Sequence, residues 1–147
     1  MKTKLIIAGL AVFFSLSLVA QQQSKTPGPG EPDSRILTKL SEIVQIQKQL
    51  VEYYQSLIDA GESSAENVSG LRRATVGQAE ARVDLAREGK QRDALITALQ
   101  ALVAVHEQRA EMAKRNFSVN STNAAKAEVG RAQVALLEAQ VRLIRGQ

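Results

Sequence analysis

Apolar residues recur along this chain in steps of three and four, over four stretches separated by short polar breaks. Between Ser34 and Ala60, Ile36, Ile43, Leu50 and Leu57 repeat every seven residues. Leu37, Leu40, Val44, Val51, Tyr54 and Ile58 fill the neighbouring positions, and Gln47 is the one polar entry in that second row. A stripe this wide predicts an amphipathic helix that packs in a bundle or coiled coil. A fully buried Leu50 in such a seam would cost about 2–5 kcal/mol on truncation to alanine. A second stretch, about Ala65 to Glu88, sets Val68, Leu71, Thr75, Ala79, Val83 and Leu85 or Ala86 at helical spacing. A third, Ala94 to Asn116, carries Leu95, Ile96, Leu99, Leu102, Val103, Val105, Ala110 and Met112. The fourth, Asn123 to Arg145, carries Ala127, Val129, Val134, Leu136, Leu137, Val141, Leu143 and Ile144.

The breaks have turn chemistry. Gly61 follows the first stretch and can adopt the left-handed conformation that ends a helix. Ser63 to Glu66 has the form of a capping box, with Ser63 as the cap and Glu66 reaching back. At the third break, Asn120 can take the same left-handed role as Gly61, and Ser121 or Thr122 can cap the helix that follows. The middle break, "REGKQRD" (Arg87 to Asp93), is less decided. Gly89 either closes a hairpin or kinks one long helix over residues 65–116. The small residues Gly70, Gly77, Ala79 and Gly130 favour the extended or loosely folded form, with its long close-packed seams. The expected class is all-α: four helical segments as two repeated antiparallel helix-turn-helix hairpins, in a coiled-coil-like or elongated bundle.

The repeat is visible in the residues. Displacing the first half by 59 positions puts Leu37 on Ile96, Leu40 on Leu99, Ile43 on Leu102 and Val44 on Val103. The breaks follow: Gly61 meets Asn120 and Ser63 meets Thr122. One more residue of offset brings Ala79 onto Ala139 and Arg82 onto Arg142. A turn that stays in register with the apolar matches argues for two copies of one unit.

The unit "YYQSLIDAGESSAENVSGLRRATVGQAEARVDLA" resembles the repeat of TolC-type outer-membrane efflux proteins, and "NFSVNSTNAAKAEVGRAQVALLEAQVRLI" resembles a degraded second copy. The shared pattern is an aromatic, a Gly-Ser-like break, then a helix with Ala and Leu every three or four residues, over roughly residues 36–145. The hairpin of periplasmic pump adaptors is a related likeness. The family carries membrane-spanning β-strands between its hairpins, and this chain has no alternating apolar-polar run long enough for them. The resemblance therefore implies the helical, tunnel-type part and a place in efflux or transport across the envelope, without a complete channel.

The first 20 residues differ from the rest. Lys2 and Lys4 precede an apolar run from Leu5, and small residues lead to Ala20. This is the layout of a signal peptide over residues 1–20, and the run is short for the ~20 residues of a spanning helix. An uncleaved segment would be the chain's only membrane contact. Residues 21–33, "QQQSKTPGPGEPD", hold all three prolines and read as a disordered linker, leaving residues 34–147 as the helical domain. The expected location is the periplasm or the outer membrane.

Composition narrows the function. The net charge of +4 falls to +2 once Lys2 and Lys4 are set aside, and no basic stripe with stacking aromatics exists, so nucleic acid is not an expected partner. There is no cysteine, and His106 is the only histidine. It has no ligand or base partner at helical spacing and falls on the seam position of Gln47. No catalytic, cofactor or metal residues are expected. The expected function is a non-enzymatic exported protein acting by helix packing, through self-association or envelope partners. The alternative is a periplasmic helical chaperone or stress-sensor-like protein that binds through an exposed apolar patch.

Overall fold

The computed structural model describes residues 32–146; the expected signal peptide and most of the linker lie outside the described residues. Four helices follow one another: α1 (Ser34–Asp59), α2 (Ala65–Glu88), α3 (Arg92–Val119) and α4 (Asn123–Gly146). The described chain is 89% helical and contains no strand. α1 packs on α2, α2 on α3 and α3 on α4, and no other pair of helices brings its backbones together. The architecture is the all-α one expected from the periodicity, with α1–α2 and α3–α4 as the two hairpins.

Three side chains cap the helix starts. Asp33 accepts from the Arg35 N–H at 2.9 Å at the start of α1. Ser64 Oγ accepts from the Asn67 N–H at 3.1 Å at the start of α2. Thr122 Oγ1 accepts from the Ala125 N–H at 3.1 Å before α4, as expected. The capping box on Ser63 and Glu66 is corrected by one residue. With Ser64 as cap, the third helical position is Asn67, and its Nδ2 donates back to the Glu62 carbonyl at 2.7 Å.

The first two helix ends share one device. Gly61 (φ 89°) stands just past α1. Glu62 N–H donates to Leu57 O and Gly61 N–H to Ile58 O, each at 2.9 Å. That nested pair closes a helix end when the residue past it turns left-handed. After α2 the left-handed residue is Lys90 (φ 53°), with Gln91 N–H on Ala86 O and Lys90 N–H on Arg87 O. Gly89 itself stays right-handed (φ −71°). Residues 65–116 are therefore two helices joined by a tight turn, and the extended form with one long helix is not what the chain adopts. Asn120 is also corrected: its φ of −122° is not left-handed, and its N–H makes a single bond to Asn116 O at 2.8 Å.

The core is thin because it is built from alanine. Of the buried hydrophobic residues among those described, only Val83, Leu99 and Leu102 are larger. Small side chains let helix axes approach closely, so packing is close while little apolar volume is enclosed. Leu99 and Leu102 of α3 sit between Ala79 and Val83 of α2 and Ala139 of α4. Further along α3, Ala110 and Ala113 meet Ala132, Val129 and Leu136 of α4. α3 is covered from two sides.

Candidate functional site

The helices at the two ends of this series each keep one neighbour, and each leaves an apolar row uncovered. On α1 the row of Leu37, Leu40, Val44, Gln47, Val51, Tyr54 and Ile58 is half-buried, and α2 is the only described helix that α1 packs on, so this row faces α2. Contact is close enough that a Cβ on Gly70 would collide with the Tyr54 ring and one on Gly77 would lie 2.9 Å from the Gln47 amide. About 100° around the helix runs the heptad row read first in the sequence. Of that row Ile36, Ile43 and Leu50 are 46, 44 and 38% exposed and Leu57 is half-buried, while Ile46 and Tyr53 beside them are 55 and 51% exposed. No residue of α1 is buried. Leu50 is thus not the core leucine that the periodicity suggests.

α4 shows the same division more sharply. Ala125, Ala132 and Ala139 are buried against α3, with Val129, Leu136 and Leu143 packed beside them. On the opposite side, Val134, Leu137, Val141 and Ile144 are 54, 60, 44 and 71% exposed. Ala127 and Gly130 continue that row toward the start of the helix, also exposed. Spacings of three and four residues along the row make it a coiled-coil seam with nothing among the described residues to fill it.

Between the ends lies a buried polar seam. His106 is 5% exposed, and its Nδ1 is buried without a hydrogen-bond partner among the described residues. Burial holds its pKa below the ordinary histidine value; Glu80 opposes that shift, and Arg109 and Arg142 add to it. Near the ring, Arg142 of α4 donates to both carboxylate oxygens of Glu80 on α2, at 2.7 and 2.9 Å. This ion pair ties together two helices whose backbones do not touch. Arg109 of α3 and Arg131 both bond Glu128 of α4, at 2.9 and 3.0 Å. The Arg109 bond is the main cause of the lowered Glu128 pKa, with Arg131 adding to it. The arrangement pairs half-buried charges across helices and orders them. It offers no nucleophile with a base, and no group of three or more metal-ligating side chains is found among the described residues.

The residues singled out from the sequence do not converge. Gly61, Ser63 and Glu66 lie at the first turn, and Asn120 and Thr122 at the third; all five are exposed. They shape helix ends. Sequence reasoning missed the Glu80–Arg142 and Arg109–Glu128 pairs, which join residues 62 and 19 positions apart and carry no local signal. The uncovered rows were present as heptads, but their exposure was not. No described helix is long and apolar enough to cross a membrane. No family model, curated protein or solved structure matches the chain.

Proposed function

We propose that this is a non-catalytic, exported protein of the cell envelope that works by helix packing, with copies of itself or with envelope partners. The observation that carries this reading is the pair of uncovered coiled-coil rows on α1 and α4. Each spans most of a helix, and together they expose apolar surface on the order of several hundred Å², the size that marks an interaction surface on a soluble domain. The basic start and apolar run of residues 1–20 support export. The helix-turn-helix repeat supports the likeness to the helical part of TolC-type efflux proteins, and with it a role in efflux or transport.

A chaperone-like reading would use the groove between the N-terminal half of α1 and the α2–α3 turn, about 770 Å³ in volume. Leu37, Ile46 and Leu85 are its apolar side chains, set among polar neighbours such as Thr38, Glu42 and Gln45, which suits packing edges better than capture of unfolded chains.

Fractionation of cells expressing the full chain, with cross-linking in the intact envelope, tests the proposal. The expected result is a chain beginning near Gln21, recovered outside the inner membrane and cross-linked to copies or partners. An intact Met1 terminus in a chain that cross-links to nothing sinks it.

A further inference from the structure

Resting on the assembly reading above, we infer that α4 is a self-association surface, and that a second copy of this chain docks on it with its own α4 running antiparallel. Three features of the outer face of α4 point to this occupant.

The first is the fit of the row to itself. Antiparallel coiled coils set the first apolar position of one heptad opposite the second of the partner. Applied here, Ala127 faces Ile144, Gly130 faces Val141, and Val134 faces Leu137, each pair occurring twice about a twofold axis. Small residues meet large ones at both ends of the contact, so the layers fill evenly. No charge enters the row. The α1 row has no such fit, because Lys39 interrupts its heptad between Ile36 and Ile43.

The second is charge. In that register Arg131 of one copy lies beside Glu138 of the other, twice, and Gln133 lies beside Gln140. Glu138 has no ion pair within the described chain, while Arg131 sits at its own Glu128 and can be shared. A parallel pairing would instead set Lys126 of one copy beside Arg131 of the other, twice, and leave Glu138 beside Gln133.

The third is Gly130. A glycine inside a helix weakens it by about 1 kcal/mol relative to alanine. The other described glycines have reasons within the chain: Gly61 its left-handed turn, Gly70 the Tyr54 ring, Gly77 the Gln47 amide, Gly89 the Leu85 carbonyl at 3.1 Å, and Gly146 the Leu99 side chain at 2.7 Å. A Cβ on Gly130 would meet nothing within 4 Å. Close approach of a helix from outside supplies the missing reason. α4 is 24 residues long, ~36 Å, so the pairing buries on the order of 1,000 Å² in total, at the lower end for a specific interface. The dimer is therefore expected to dissociate on dilution.

The chain has no cysteine, which makes disulfide trapping clean. Full-chain Ala127→Cys and Ile144→Cys variants, mixed and oxidised, should form the mixed covalent dimer, whereas Ile144→Cys alone should not. Antiparallel pairing holds the two Ile144 positions ~25 Å apart along the axis. In sedimentation equilibrium the unmodified chain should reach dimer mass, and Leu137→Glu should raise the dissociation constant at least tenfold at unchanged helicity. Glu138→Arg should weaken the dimer, and adding Arg131→Glu should restore it. Efficient Ile144→Cys self-linking would overturn the antiparallel arrangement. Dimers insensitive to Leu137→Glu but trapped through Ile43→Cys on α1 would overturn this inference and leave the assembly reading standing. A folded monomer at every concentration overturns it too, and the assembly reading then survives only through envelope cross-links to other proteins.

Discussion

α1 and α3 are the same helix twice. At an offset of 59 residues, the α2-facing row of α1 lands on the row of α3 that holds Ile96, Leu99, Val103, His106, Ala110, Ala113 and Phe117. The pattern is shared, and the burial is not. α1 has no buried residue, while α3 buries six, among them Leu99 at 1% and Leu102 at 0% exposure. The cause is position. α3 lies between α2 and α4, and α1 has α2 alone. Ile43 and Leu102 occupy equivalent sites, yet one is 44% exposed and the other fully enclosed. Periodicity therefore reports which face of a helix is apolar, and the order of packing decides whether anything covers it.

The sharpest way to break this comparison is to truncate the equivalent pair. Leu102→Ala is expected to destabilise the fold by about 2–5 kcal/mol, as for an enclosed leucine whose cavity cannot collapse. Ile43→Ala should cost less than about 1 kcal/mol, because much of its surface is already in water. Urea unfolding of both variants at low protein concentration checks this. Equal losses would mean that α1 is covered in solution.

The helix that follows each turn offers a second contrast. Gly70→Ala forces the new methyl group into the Tyr54 ring, and overpacking of this kind costs about 1–3 kcal/mol. Gly130→Ala meets open space, so the isolated monomer should gain up to about 1 kcal/mol from helix propensity. The thermal midpoints of the two variants should move in opposite directions. A loss at Gly130→Ala in dilute protein would show a neighbour within the chain that the structure does not contain.

The turn before α2 gives a smaller effect. Ser64→Ala removes the cap bond to Asn67 and should cost about 1 kcal/mol, whereas Ser63→Ala should be nearly silent. The reverse ranking in thermal melts would restore the capping box one residue earlier.

The smallest effect expected is a pH dependence that separates the two polar seam residues, Gln47 and His106. Burial lowers the pKa of His106 in the folded chain, so the unfolded chain takes up the proton first as pH falls. The contribution of neutral His106 is complete above the ordinary histidine value of about 6.5 and declines as pH drops through it, levelling off once the folded form is protonated too. Glu80 across the ion pair softens the slope, and Arg142 and Arg109 sharpen it. His106→Gln, which copies the α1 residue, should flatten the change in melting midpoint between pH 7.5 and 5. An unchanged slope would assign it to carboxylates such as Glu128, whose lowered pKa makes its stabilisation fade at more acidic pH.

The sequence by itself determined the four helices, their boundaries to within a few residues, the two-hairpin repeat and the rows that line each helix. These are local properties: a 3.6-residue period, a cap three positions before its N–H, a glycine past a helix end. Turn details strayed where neighbouring residues offered equivalent chemistry. Ser63 and Ser64 can each cap, and Lys90 rather than Gly89 took the left-handed step. Asn120 did not take it, because its helix end closes on a single bond to Asn116. Only the tertiary structure decided that the chain folds back at Gly89, that α3 is enclosed while α1 and α4 stand at the edges, and that Glu80 pairs with Arg142 near the buried His106. Those outcomes depend on which apolar face finds a partner in space. An amphipathic pattern presents the same free-energy gradient to a helix of its own chain and to one from another molecule.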